Sequence, residues 1–294
     1  MEEIWPEGRL DFLCRKYGRM EAELITGGEQ EMILDDLTAA TRVRIEQKKK
    51  IRSLKEVKEN AQEIAEKEQE FSFPFEKAIG KEGLCFICEV KKASPSKGMI
   101  TENFPYLEIA QEYEKAGADC ISVLTETEYF KGEDRFLAEI SREVSIPVLR
   151  KDFIIDPYMI YEAKLLGASC VLLIAALLDT NTIKYYSAIC DELGLSALLE
   201  VHNVLEVQRA LDAGVRMIGV NNRDLKTFTV DIHNSIRLRS LIPSNILFVA
   251  ESGIRTAADI QALKDAGVNG VLIGETLMRS SDKTQTLKQL KGVN

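Results

Sequence analysis

Glu89 and Lys91 lie two residues apart in the stretch Phe86–Gly98, FICEVKKASPSKG. Phe86, Ile87, Cys88 and Val90 give this stretch the character of a buried strand. Side chains two apart on a strand share a face, so a carboxylate and an ammonium leave the strand end together. Pro95 keeps Ser94 out of helical geometry and Gly98 permits a sharp bend, so the strand runs into a loop. Such a pair either solvates the strand end or does acid–base work there. Similar charged or polar residues close other apolar runs. They are Lys151 in LRKDF, Glu200 after Leu198-Leu199, Asn221 and Arg223 in VNNRD, Glu251-Ser252-Gly253, and Gly274-Glu275.

The elements that must position these residues follow a regular alternation from Cys85 onward. Short apolar strands are expected near 85–91, 119–125, 147–151, 169–174, 196–201, 216–221, 246–251 and 270–274. Amphipathic helices separate them at 105–116, 133–143, 157–166, 180–192, 203–213, 232–241 and 256–266, and one more follows at 282–291. An internal repeat supports the count. Gly117-Ala118-Asp119-Cys120-Ile121 resembles Gly167-Ala168-Ser169-Cys170-Val171, and the stretches opening at Gly214 and Gly267 resemble both. Their spacings of 50, 47 and 53 residues each hold two βα units. Eight units after a helical lead predict an α/β protein, a (β/α)8 TIM barrel with an α-helical N-terminal extension, which needs roughly 250 residues. A doubly wound open sheet is the alternative, but no glycine-rich dinucleotide fingerprint follows the first strand.

The lead divides into two parts. Residues 1–30 carry Leu10, Leu13, Tyr17, Met20 and Leu24 at helical spacing, stopped by Gly27-Gly28. Residues 31–80 hold two helices, at 31–52 and 55–69, and the apolar segment FSFPF at 71–75. Lys48-Lys49-Lys50 reads as a solvated face that also suits the helix dipole. Residues 81–294 form the catalytic barrel.

Composition narrows the class. Lys and Arg total 38 against 47 Asp and Glu, a net charge of 38 − 47 = −9, which argues against a general affinity for nucleic acid or an anionic membrane. Glu2, Glu3, Glu7, Arg9 and Asp11 interrupt any signal-peptide apolar region, and the longest apolar run, Cys170–Leu178, is too short to span a bilayer. The six cysteines are scattered, and Cys85 and Cys88 face opposite ways on their strand, so they read as structural thiols. His202 and His233 have no obvious third zinc ligand. No metal site is expected, and a reducing cytoplasm is the expected compartment.

In a barrel the active site lies at the carboxyl ends of the strands. That face would gather Glu89, Lys91, Lys151, Glu200, Asn221 and Glu251. Three carboxylates and two lysines are costly to bury unless they pair, so a structural ion-pair cluster closing the barrel is the plain alternative. Ser252-Gly253 and Gly274 precede helix starts on the last two strands, where this fold commonly holds phosphate on backbone amides. Lysine with carboxylates beside a phosphate site points to acid–base work on a sugar phosphate: isomerase, aldolase or lyase.

The chain resembles the indole-3-glycerol phosphate synthase family from about Ile33 to Met278. The resemblance is carried in order by Glu89–Ser96 (EVKKASPS), Leu149–Phe153 (LRKDF), Leu199–His202 (LEVH), Gly219–Leu225 (GVNNRDL), Ala250–Ile254 (AESGI) and Leu272–Met278 (LIGETLM). It implies a carboxy-lyase of tryptophan biosynthesis. The substrate would be 1-(2-carboxyphenylamino)-1-deoxyribulose 5-phosphate, and the products indole-3-glycerol phosphate, carbon dioxide and water. No cofactor or metal is implied.

By the same resemblance Lys151 is the principal general acid. Lys91 binds the substrate carboxylate and shares the acid role. Glu200 carries protons during dehydration and rearomatisation, and Glu89, Asn221 and Glu251 orient these groups and the substrate hydroxyls. Arg223 holds substrate or loop, and Ser94, Ser252, Gly253 and Gly274 bind phosphate. Glu275 stands where some relatives carry serine, so only its amide is expected to help. Residues 1–30 fall outside the resemblance, and residues 31–80 are expected to dock on the barrel mouth and roof the substrate's aromatic end. The expected partner is the sugar phosphate, with the chain a monomer or weak homo-oligomer able to associate with other tryptophan-pathway enzymes. Two rival readings stand beside this one. A barrel similar to phosphoribosylanthranilate isomerase usually works with a cysteine and an aspartate, which Glu89-Val90-Lys91 disfavours. A non-catalytic phosphate-binding barrel subunit would not need the intact lysines and carboxylates.

Overall fold

The computed structural model describes residues 29–68, 71–224 and 227–292. The helix expected near Leu10–Leu24 lies outside the described residues. The leader comprises α1 (Glu29–Ile51), α2 (Leu54–Glu66) and α3 (Pro74–Ile79). There follow β1 (Cys85–Val90), a small hairpin of β2 (Ala93–Ser94) and β3 (Gly98–Met99), α4 (Tyr106–Lys115), β4 (Cys120–Leu124), α5 (Asp134–Glu143), β5 (Val148–Lys151) and α6 (Pro157–Leu165). The second half holds β6 (Cys170–Ile174), α7 (Thr180–Glu192), β7 (Ser196–Val201), α8 (Val204–Ala213), β8 (Met217–Asn221), α9 (His233–Arg239) and β9 (Leu247–Glu251). It ends with α10 (Ala257–Asp265), β10 (Gly270–Ile273), α11 (Glu275–Met278) and α12 (Lys283–Lys291).

Eight parallel strands close in the order β1-β10-β9-β8-β7-β6-β5-β4, with β4 returning to β1. The expected (β/α)8 barrel is the observed fold. Residues of alternate parity along each strand serve two different cores. Cys85 and Ile87, Leu149, Leu198, Met217, Val249 and Leu272 fill the barrel interior. Phe86, Cys88 and Val90, Leu199 and Val201, and Ile218 and Val220 pack outward against the helices. Two residues beyond Ile87, Leu149, Leu198 and Val249 the inward face emerges at the mouth as Glu89, Lys151, Glu200 and Glu251, and four beyond Met217, past Gly219, as Asn221. Helix starts are capped by Asp156, Asp179, Asn203 and the Thr256–Asp259 capping box, so each helix begins where its βα loop ends.

The leader divides in a way that corrects the expectation of 31–80 at the mouth. Among the described residues of the leader only α1 reaches the mouth, where Leu34 and Leu37 line the central cavity. α2 lies on α6 along the barrel's side. α3 closes the opposite end: Phe75 and Ile79 are fully buried with Cys85, Cys120, Cys170 and Met217, which open their strands. The barrel's own helices cover its outside but leave the interior floor open, and α3 fills that hole. Phe71 lies over Gly194, and Phe73 stacks 5.0 Å under the Arg216 guanidinium. Lys48 and Lys49 are not a solvated face. Lys48 pairs with Asp134 and, at 2.8 Å, with Glu162, and Lys49 meets Asp156 at 2.7 Å. With Arg44 donating to Asp152 at 2.7 Å, they dock α1 onto the βα loops.

Candidate active site

The inward residues at the strand ends surround a cavity of about 440 Å³. Lys151, the last residue of β5, is its central cation. Its Nζ lies 2.6 Å from Glu200 Oε2 and 3.0 Å from Glu251 Oε2. Asn221 Nδ2 donates to Glu200 Oε1 at 3.3 Å. Lys91 Nζ meets Glu89 Oε1 at 2.6 Å. All of these residues line the one cavity. Arg150 and Asp152, the neighbours of Lys151 in LRKDF, point the other way. Arg150 is fully buried between barrel and helices and bonds to Asp134, Glu162 and the Met159 carbonyl, while Asp152 accepts from Arg44 and Thr125.

The electrostatics follow from burial and charge. Burial alone would lower the pKa of Lys151, but Glu200, Glu251 and Glu89 more than reverse this and hold it as an ammonium. Burial works against the charge of Glu200 as well. Lys151 and His202 outweigh it and keep this carboxyl well below its usual range. Glu251 behaves differently: burial, with the Glu200 and Glu89 charges adding to it, pushes it up to about 7 against the pull of Lys151. Among the described residues its Oε1 is buried without a hydrogen-bond partner.

Two glycines make room for this cluster. A Cβ on Gly219 would collide with Glu251 Oε1, and one on Gly274 would collide with Glu89 Oε1 and stand 3.0 Å from Lys91 Nζ. Ser252 and Gly253 both have left-handed backbone, at φ 66 and φ 81. Left-handed geometry is strained for serine, and such strain gathers at ligand sites. Asn222 Nδ2 steadies the turn by donating to the Ser252 carbonyl at 3.1 Å. Ser252, Gly253 and Gly274 lie together on one side of the cavity, with Ser94 and Arg223 on the same wall system.

Several lining residues were not among those expected. Leu34, Leu37, Leu124, Phe130, Phe153, Leu172 and Ile174 make an apolar wall, with Phe130 and Phe153 rings 6.1 Å apart. Phe153 stood in the LRKDF motif and Leu172 and Ile174 in a predicted strand, so inward parity was their available signal. Phe130 comes from a loop, which carried none, and Leu34 and Leu37 from the leader, which was expected at the mouth as a whole. Arg255 and Arg279 also line the cavity. The Glu275 side chain, expected to stand aside, pairs with Arg279 at 3.2 Å and with Lys97 and Arg223 at 3.8 Å. Among the described residues no group of three or more His, Cys, Asp or Glu side chains is arranged to hold a metal ion.

The chain is 60% identical over 261 residues to the indole-3-glycerol phosphate synthase of Ruminiclostridium cellulolyticum, covering 89% of this chain and 99% of that protein. It is 51% identical over 270 residues to the protein of that name from Lachnoclostridium phytofermentans, covering 89% and 100%. Among solved structures, the 3-hexulose-6-phosphate synthase of Salmonella typhimurium matches with a TM-score of 0.59 at 14% identity, over 71% of this chain and 97% of that one, a likeness of fold. The model of the family described as indole-3-glycerol phosphate synthase matches residues 34–290, and the chain belongs to that family.

Proposed function

We propose that this chain closes the indole ring with one lysine held between two carboxylates. The reaction takes 1-(2-carboxyphenylamino)-1-deoxyribulose 5-phosphate to indole-3-glycerol phosphate, carbon dioxide and water, a carboxy-lyase step of tryptophan biosynthesis. The observation that carries the residue roles is Lys151 Nζ within 3.0 Å of both Glu200 and Glu251 in a cavity with an apolar wall on one side and the Ser252-Gly253 and Gly274 loops on the other.

The aromatic carbon bearing the carboxylate attacks the C2 carbonyl. Lys151, held charged, polarises that carbonyl and gives a proton to the oxygen as the carbon–carbon bond forms. An ammonium held so firmly is a weak acid toward water, but the alkoxide of ring closure is a far stronger base and takes the proton. Carbon dioxide then leaves, and its bonding electrons restore the benzene ring. Glu200 removes a proton as the hydroxyl departs as water, completing the pyrrole ring. Lys91 binds the substrate carboxylate, oriented by Glu89. Asn221 and Glu251 orient Glu200, Lys151 and the substrate hydroxyls. Ser94, Ser252, Gly253, Gly274 and Arg223 hold the phosphate, and the apolar wall, with Leu34 and Leu37 of the leader, takes the aromatic ring and excludes water.

We assign the chain to the cytoplasm as a monomer or weak homo-oligomer, free to associate with enzymes of the same pathway. Its acidic balance supports this, as does the lack, among the described residues, of a helix long and apolar enough to cross a membrane. The test is direct: the protein is incubated with the carboxyphenylamino sugar phosphate, and the rise of indole fluorescence is followed. No fluorescence from folded protein would refute the activity.

A further inference from the structure

Behind Glu200, on the side away from Lys151, lies a second charged pair. His202 has a side chain only 10% exposed, set between two carboxylates: Nε2 is 3.3 Å from Glu200 Oε1 and Nδ1 is 3.1 Å from Glu206 Oε2. Glu206 is fixed at the first turn of α8. Its Oε2 also accepts from the His202 backbone amide at 2.7 Å, its Oε1 accepts from Asn203 Nδ2 at 2.8 Å, and its own amide donates to the Asn203 cap at 3.0 Å. A carboxylate only accepts, so Nδ1 carries a proton. Among the described residues Nε2 is buried with no hydrogen-bond partner, and the charged atom it faces is Glu200 Oε1. A lone pair there would oppose the carboxylate, whereas an N–H would attract it.

We infer that His202, clamped by Glu206, is a positioning residue for Glu200: as an imidazolium it holds Glu200 Oε1 from behind and keeps that carboxylate ionised at the start of each turnover. The inference rests on Glu200 being the proton carrier of the reaction proposed above. The groups facing Glu200 are Lys151 from β5, Asn221 from β8, His202 from its own strand end, and the Glu251 and Glu89 charges from β9 and β1. Those facing His202 are Glu200, Glu206 and, at its carbonyl, Asn234 of α9. Burial would strip the imidazole of its charge, but the two carboxylates reverse this and raise it to about 10. The proton balance of the reaction is unchanged. The proton that Glu200 takes from the ring leaves with the departing hydroxyl as water, and His202 keeps its own throughout. The imidazolium makes the protonated form of Glu200 a readier donor, so the proton is passed on rather than retained.

The test compares the parent with H202Q, E206Q and E200Q, reading kcat and KM by indole fluorescence from pH 3 to 9, a range that reaches down toward the low pH at which Glu200 takes up a proton, and the melting temperature at each pH. H202Q is expected to lose tenfold or more in kcat with KM within twofold, and its acidic limb should move up by about one pH unit. E206Q, which removes the negative charge beside Nδ1 without removing the ring, should shift the limb the same way by less. If H202Q does not fold, the E206Q limb decides. An unmoved limb in the folded variants, with E200Q inactive, would overturn the inference alone. E200Q at the parental kcat would overturn the role of Glu200 and the inference with it.

Discussion

Replacing Lys151 by methionine separates its charge from its length, and the structure sets the size of the effect. The ammonium lies 2.6 Å from one buried carboxylate and 3.0 Å from another. At an effective dielectric near 20, each contact is about 6 kcal/mol of bare attraction. Desolvation offsets most of this, and breaking a buried pair costs about 3–5 kcal/mol. The loss should fall at the low end, because Glu251, already raised to about 7, takes up a proton once the lysine is gone. A loss of about 3 kcal/mol corresponds to roughly 5 °C in melting temperature for a chain of this size, so K151M should fold. Its kcat should fall by about 10² or more, the lower range for a positioned acid. K151R is the companion. It keeps the positive charge and most of the stability, but a guanidinium does not release its proton, so its kcat should fall similarly. The assay is indole fluorescence at saturating substrate, with circular dichroism as the folding control. K151M within threefold of the parent would remove Lys151 from the mechanism, and K151R at the parental rate would reduce its role to charge.

Other outcomes follow from the same geometry. Inorganic phosphate or sulfate should compete with substrate and sit between Ser252-Gly253 and Gly274 in a crystal; an anion found elsewhere at high sulfate, with those loops empty, would refute the placement. Phe75→Ala should cost about 3–5 kcal/mol, read by urea unfolding, while KM stays near the parental value, because Phe75 is fully buried in the floor and not the mouth. Glu251 titrates near 7 in the folded chain, above its ordinary carboxylate value, so its contribution to stability is full below about pH 4.5 and is lost as pH rises through 7. E251Q, with no proton to lose, should therefore gain in melting temperature relative to the parent between pH 5 and pH 8, and a flat difference across that range would contradict the assignment.

The strand ends were legible because a strand has a period of two. Each apolar run closes on a charged or polar residue, and the structure shows why these share a face: Glu89, Lys151, Glu200 and Glu251 each follow an interior residue, Ile87, Leu149, Leu198 or Val249, by two. The helix ends were legible through the repeated Gly117, Gly167, Gly214 and Gly267, while starts such as Asp156 and Thr256 are caps that the structure reveals. The apolar wall was harder to read. Phe130 lies in a loop and Leu34 in the leader, so no periodicity ties them to the barrel, and only tertiary docking brings them to the cavity. The position of α3 was misjudged because the interior floor of a barrel is not visible in the alternation that announces its sides. The clamp on His202 left a signal that went unused: histidine and glutamate at i and i+4, directly after a strand-end carboxylate.

The floor formed by α3 ties the two ends of the chain's history together. Ile79 lies against Gly270, 270 − 79 = 191 residues further on, and β1 is hydrogen-bonded to β10. As the ribosome delivers the chain in order, α3 and β1 emerge early but cannot complete their packing until the last strand arrives. Phe75 and Ile79 therefore lack part of their cover until the last strand is made. A chain stalled before residue 270 has a barrel without its closing stave and a plug without its seat, which makes those two side chains natural handles for a chaperone and a mark of the unfinished protein.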